Sequence, residues 1–165
     1  MSVKLEPATP DDAAALAALR TAVAEHLTRQ YGTGPWSSAS SEKGVLYHLR
    51  TGRVLVARSE HGLIASLTLA TRKPWAIDKT YFSDCQKPLY LTDMAVRPDL
   101  QRSGIGRRCL EEAQRIAREW PADAIRLDAF DAAAGAGDFY RKCGFREVGR
   151  VTYRNTPLIY FERLL

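Results

Sequence analysis

The sequence lacks the marks of a membrane, exported or metal-built protein. No stretch approaches the ~20 consecutive apolar residues that span a bilayer. The opening segment, MSVKLEPATP, has no apolar core of a secretory leader, so export is not expected. Cysteine is scarce: Cys85, Cys109 and Cys143 are 3 in number, and none forms a CxxC pair. An odd count without that spacing argues against a disulfide framework or a zinc motif, and fits reduced thiols in the cytoplasm. His26, His48 and His61 have no spacing that suggests a metal site or a catalytic triad. No GxxxxGK followed by Ser or Thr occurs, which excludes a P-loop. No internal repeat or low-complexity linker divides the chain.

What is present suits one folded domain. The 165 residues suffice for a real core, and 45% apolar with 26% charged residues is the mix of a soluble globular protein. The net charge of +5 comes from 24 Lys and Arg against 19 Asp and Glu. That excess suits an anionic ligand, a nucleic acid or simply a basic surface, and charge alone does not choose among them.

The expected elements alternate. A short strand covers about Val3 to Glu6. Thr9, Pro10 and Asp12 make a capping-box-like start, and a helix follows from about Pro10 to Arg29, with Leu16, Leu19, Val23 and Leu27 at helical spacing. A second helix covers Ser41 to Arg50. Strands at Val54–Arg58 and Leu63–Thr71 form a hairpin around Glu60, His61 and Gly62. A loop excursion runs from Lys73 to Lys87. Leu89 to Val96 has buried-strand length. A third helix starts near Gly104, with Glu111–Arg115 and Arg115–Glu119 expected to pair on its outer face. A strand at Ile125–Phe130, a short helix at Gly137–Cys143, and strands at Arg146–Tyr153 and Leu158–Leu164 complete the order β-α-α-β-β-β-α-β-α-β-β. That is a mixed α/β pattern with helices covering a sheet.

The most informative segment is LYLTDMAVRPDLQRSGIGRR, Leu89 to Arg108. A buried strand enters a turn that opens a helix, and the turn spaces Gln101, Gly104 and Gly106 as Q-x-x-G-x-G. Glycines let a ligand approach the backbone. The first amides of a helix lack internal partners and sit at the positive end of its dipole. Together these make an anion site suited to a diphosphate, with Arg102, Arg107 and Arg108 adding charge. A dinucleotide-binding GxGxxG is excluded, because Gly104-Ile105-Gly106 runs on into Arg107, Arg108 and Cys109.

This segment resembles motif A of the GNAT superfamily of N-acetyltransferases, written Q/R-x-x-G-x-G/A. Val96-Arg97-Pro98 looks like the usual lead-in, and Phe139-Tyr140-Arg141-Lys142-Cys143-Gly144-Phe145 resembles the FYxxxGF element. The likeness implies a mostly antiparallel mixed sheet of about six to seven strands flanked by about four helices, in one domain. It also implies a V-shaped splay between the strand before the turn and the one after the third helix. The co-substrate would be acetyl-CoA, with no metal. Backbone amides at a bulge mapping to Met94, Ala95 and Val96 would hold the pantetheine arm and the thioester carbonyl. Amides from Gln101 through Arg102, Ser103, Gly104, Ile105 and Gly106 to Arg107 would hold the pyrophosphate. Tyr140 matches the family tyrosine. A phenol, with its pKa near ~10, stays protonated at neutral pH and can donate to the leaving sulfur. Asp93 is the expected general base, acting through water. One departure is visible: the family's asparagine seven residues before the tyrosine is Ala133 here, which removes its side-chain contact, while Ala136 keeps the small residue four before it.

The acceptor is less legible. The resemblance places it between the loop after the first helix, Tyr31 to Ser41, and the last hairpin, Val151 to Leu158. Tyr31, Trp36 and Tyr153 there either shape a pocket or cover the core. The Trp75–Phe82 excursion supplies a wall or a contact with a second copy. The expected reaction is acetyl transfer to a primary amine of a small molecule, amino acid or peptide. The alternatives are a non-enzymatic acyl-CoA-binding or sensing module, or an enzyme acting on protein or RNA. No basic stripe interleaved with aromatics supports nucleic acid, and no membrane partner is expected.

Overall fold

The computed structural model describes residues 2–165. Seven strands form one sheet in the order β1-β2-β3-β4-β5-β7-β6. They are β1 (Glu6–Pro7), β2 (Arg53–Ser59), β3 (Gly62–Ala70), β4 (Pro88–Val96), β5 (Ala124–Phe130), β6 (Arg146–Tyr153) and β7 (Thr156–Leu164). All neighbours run antiparallel except β4 and β5. Four α-helices cover the sheet: α1 (Ala13–Tyr31), α2 (Glu42–Thr51), α3 (Ile105–Glu119) and α4 (Gly137–Lys142).

Period-two alternation assigns each face. Leu89, Leu91, Ile125, Leu127 and Phe161 meet Ile105, Cys109, Leu110 and Ala113 of α3 in the main core. Val54, Val56 and Ala95 pack under Leu16 and Leu19 of α1 and Val45 of α2. Burying a Leu, Ile or Phe contributes about 1.5–3 kcal/mol each, so these two layers fix the sheet between the helix pairs. A third cluster seats the 71–87 loop: Ile77 and Phe82 pack on Tyr90 and Tyr160.

Several expected boundaries move. The first strand shrinks to Glu6–Pro7. The Thr9 amide donates to Asp12 at 2.9 Å, but the first turn after it is 3-10, and the α-helix begins at Ala13. Arg115 pairs with Glu119 as expected, yet its second partner is Glu112 and not Glu111. Glu112 faces the N-terminal segment, where it also accepts from the Leu5 amide at 3.2 Å. The last hairpin is tighter than expected. β7 begins at Thr156, and Arg154 and Asn155 make a two-residue turn with φ of 48° and 65°. Positive φ at both positions suits the twist of an antiparallel pair.

Candidate active site

The parallel ladder between β4 and β5 is short. It holds Pro88 opposite Ala124, Leu89 opposite Ile125 and Tyr90 opposite Arg126, and then ends. Beyond Tyr90 the strands part, β4 staying with β3 and β5 with β7. A V-shaped slot opens between them. Its vertex is pinned by buried polar contacts. Arg126 donates to Glu162 at 3.0 Å, to the Tyr90 hydroxyl at 3.2 Å and to the Ser83 carbonyl at 2.6 Å.

On the β4 arm the ladder slips. Ser66 pairs with Ala95 but Thr68 with Thr92, so Asp93 and Met94 together oppose Leu67. Asp93 takes a φ of 53° to make this bulge. Left-handed backbone costs an L-residue roughly 1–2 kcal/mol, and such strain gathers at functional positions. The bulge takes Met94 out of the regular β3–β4 register.

Past β4 the chain turns into α3. The Gln101 side chain donates to the Val96 carbonyl at 3.1 Å, bracing the turn against the strand end. Ser103 donates to the Leu100 carbonyl. Gly104 caps the helix at φ +89°, and a Cβ built there would meet nothing within 4 Å. The first bond into the helix runs from Arg108 N–H to Gly104 O, which leaves the amides of Ile105, Gly106 and Arg107 pointing outward. Gly106 is small for a different reason: a Cβ would come within 3.0 Å of Phe139. The Arg107 guanidinium donates to the Lys142 carbonyl at 3.1 Å, which ties the first turn of α3 to the end of α4. An open glycine cap at a free helix N-terminus, beside a parted strand pair, fits a diphosphate and its pantetheine arm.

Tyr140 comes from the other side of the seam. It is buried among Phe139, Phe145 and Phe161, with ring centroids 5.3, 5.7 and 5.9 Å away. Its hydroxyl donates to the Met94 sulfur at 3.8 Å. Burial first, and the charge of Asp128 second, hold its pKa above the ordinary phenol value.

The opposite face carries a cleft of about 310 Å³ between α2, β3, β4 and the 71–75 loop. Tyr47, Trp75, Tyr90 and Thr92 form walls, with His48 and Asp93 at one end. His48 Nδ1 accepts from Arg20 at 3.1 Å. A guanidinium can only donate, so the imidazole proton sits on Nε2. Asp93 Oδ2 is then 3.7 Å from Nδ1 without a hydrogen bond, and its carboxylate stays open. Of the aromatics expected near the acceptor, Trp36 meets Phe130 edge-on at 5.9 Å. Tyr31 is exposed on the end of α1, and Tyr153 stacks with Arg154.

The acetyltransferase (GNAT) family description matches residues 20–145. The chain belongs to that family. Its members use acetyl-CoA as the acetyl donor. The GNAT fold also matches solved structures along nearly their whole length. A GCN5-related N-acetyltransferase from Rhodopseudomonas palustris is 20% identical, with 100% of this chain and 97% of that one covered and a TM-score of 0.74. The PaiA N-acetyltransferase of Thermoplasma acidophilum, in complex with coenzyme A, is 17% identical over 100% of both chains, with a TM-score of 0.75. The ribosomal-protein-alanine N-acetyltransferase of Brucella melitensis is 19% identical, covering 98% of this chain and 99% of that one, at a TM-score of 0.73. No curated protein matches the GNAT chain by sequence.

Three features around this site are absent from the sequence reading. His48 of α2 and Asp93 of β4 come within 3.7 Å only through the tertiary fold, 45 residues apart in the chain. Trp36 and Phe130 meet because the α1–α2 loop crosses to β5. Asp128 is half-buried on the slot wall. Its signal was present: Arg126 and Asp128 interrupt an otherwise apolar strand of buried length.

Proposed function

We propose that the chain transfers an acetyl group from acetyl-CoA directly to a primary amine of a small molecule, amino acid or peptide. The observation that carries this reading is the parting of β4 from β5 after Tyr90, with a bulge, a free helix N-terminus and a buried tyrosine along one seam. The amides from Gln101 to Arg107 would hold the pyrophosphate, and those of Met94, Ala95 and Val96 the pantetheine arm and thioester carbonyl. A backbone N–H near Met94 or Ala95 would stabilise negative charge as it develops on that carbonyl oxygen. Positioning both reactants in one slot lowers the barrier further.

Tyr140 supplies the proton that the departing sulfur needs. Its hydroxyl already donates to a sulfur, that of Met94, and burial keeps it protonated. The acceptor enters from the cleft on the α2 side, where Tyr47 and Trp75 offer apolar surface. Asp93, open to solvent at the end of that cleft, attracts the ammonium and can take its proton through water.

The test is a screen of amines, amino acids and peptides with thiol release from acetyl-CoA as readout. Amine-dependent release is expected. Calorimetry that detects no CoA binding, or binding without thiol release for any amine, would refute the reading.

A further inference from the structure

Asp128 lies on β5, beyond the last rung that this strand shares with β4, Tyr90 opposite Arg126. Ile125 and Leu127 point into the core beneath α3, so Arg126, Asp128 and Phe130 share the other face. Its two neighbours show where that face looks. Arg126 reaches the Tyr90 hydroxyl, and Tyr90 lines the acceptor cleft. Phe130 meets Trp36 of the α1–α2 loop. Asp128 stands between them, on the slot wall toward the acceptor side.

Its carboxyl is half-buried and acted on by burial alone, which raises its pKa. Arg126 neighbours it on the same face of its own strand, Tyr160 stands opposite it on β7, and its charge acts on Tyr160 and on Tyr140 of α4. The cation among these, Arg126, is committed to Glu162 at 3.0 Å. Asp128 therefore keeps its full capacity to accept. Its charge is felt by the proton donor: after burial, it is the next cause holding the Tyr140 phenol up. An unpaired, partly desolvated carboxylate destabilises a fold, and such groups collect where chemistry needs them.

We propose that Asp128 is the direct general base, taking a proton from the acceptor ammonium on the β5 side of the slot. This rests on the acetyl-transfer reading above, and it leaves Asp93 to attract the cation. The freed nitrogen lone pair forms the N–C bond as the C–S bond breaks. The sulfur takes the phenol proton of Tyr140, and the second nitrogen proton restores the phenol. Asp128 returns its proton to solvent, so each turnover yields one amide, one thiol and one released proton.

Two measurements test the assignment. The first needs no acceptor: carbon-13 NMR of the aspartate carboxyls, with Asp128→Asn assigning the signal. Asp128 is expected to titrate above the ordinary range near ~3.9, and the Tyr140 phenol to titrate lower in the variant. The second measures thiol release with two probes. One is tyramine, or the fastest alkylamine in the screen, which is protonated at neutral pH; the other is hydroxylamine, which is already neutral. Asp128→Asn is expected to lower alkylamine turnover about 10²-fold and to abolish the acid limb of its pH profile. The loss with hydroxylamine should stay under about tenfold. Unchanged CoA affinity by calorimetry would show that the variant is folded. An Asp128 signal in the ordinary range, or equal losses with both probes, would overturn the proposal. A wild-type chain that releases no thiol with any amine would instead refute the acetyl-transfer reading beneath it.

Discussion

The Tyr140 hydroxyl donates to the Met94 sulfur at 3.8 Å, joining α4 to the bulge of β4 across the open seam. One weak sulfur contact is all that restrains this phenol in a pocket of aromatic rings. The arrangement suits a group that must exchange one sulfur partner for another.

Tyr140→Phe keeps the ring packing and removes that donor. Turnover is expected to fall about 10²-fold, with CoA affinity by calorimetry little changed. Because burial holds the phenol above its ordinary pKa, the wild-type pH profile should show no loss from phenol ionisation between about pH 6 and 9. Unaltered turnover in the variant would remove Tyr140 from the mechanism.

Gly104→Ala separates strain from ligand approach. A Cβ at φ +89° costs roughly 1–2 kcal/mol, although no neighbouring atom lies within 4 Å of it. Urea melts of the free protein should show a loss of that size. CoA affinity should fall by more than the stability loss explains, since the Cβ projects where the pyrophosphate would lie. Equal affinity for wild type and variant would place the nucleotide elsewhere.

Asp12 and Asp128 should respond to acid in opposite senses. Hydrogen bonding from Arg58 holds the Asp12 pKa below its ordinary value. The ionised form is thus favoured by folding, and its stabilisation is complete above the unfolded value near ~3.9 and is lost as pH falls through the folded one. Asp12→Asn is expected to be less stable than wild type at neutral pH, with the gap closing in acid. Burial raises the Asp128 pKa. Its favourable contribution is present below the unfolded value and is lost as pH rises through the folded one. Asp128→Asn is therefore expected to be more stable than wild type at neutral pH, the advantage again vanishing in acid. Urea midpoints at several pH values read both, and a shared sign would refute one of the two environments.

Arg126 carries the largest expected stability effect. It is 3% exposed and Glu162 is 2% exposed. Arg126→Met leaves that carboxylate buried without its partner, at a cost of about 3–5 kcal/mol. Chemical denaturation checks this, and a loss below about 1 kcal/mol would show that water replaces the pair.

Much of the fold was legible because long periodic segments state their own geometry. The third helix opening at Gly104 and the buried strand of β4 fell where expected. The glycine turn that opens α3 was legible for a related reason: a helix N-terminus is a local object, written in contiguous letters. Contacts set by how distant segments lie together were not legible. Arg115 choosing Glu112 over Glu111 depends on where the N-terminal segment crosses α3. The Arg154–Asn155 turn lacks the usual Asn-Gly or Asp-Gly pair, so two strands closed by it looked like strands separated by a loop. The Asp93–His48 approach depends on how α2 is seated against α1 and β2, a property of packing that no spacing encodes.

The three-rung seam between β4 and β5 has a mechanical consequence. It joins the β1–β4 and β5–β7 parts of the sheet through three residue pairs, the last of them Tyr90 and Arg126, both buried. The width of the opening is set from that junction, which the 71–87 loop helps to hold through the Ser83 carbonyl. Engineering this enzyme to take a bulkier acyl group should therefore begin at the hinge pin, where a small change in angle is amplified along the length of each arm.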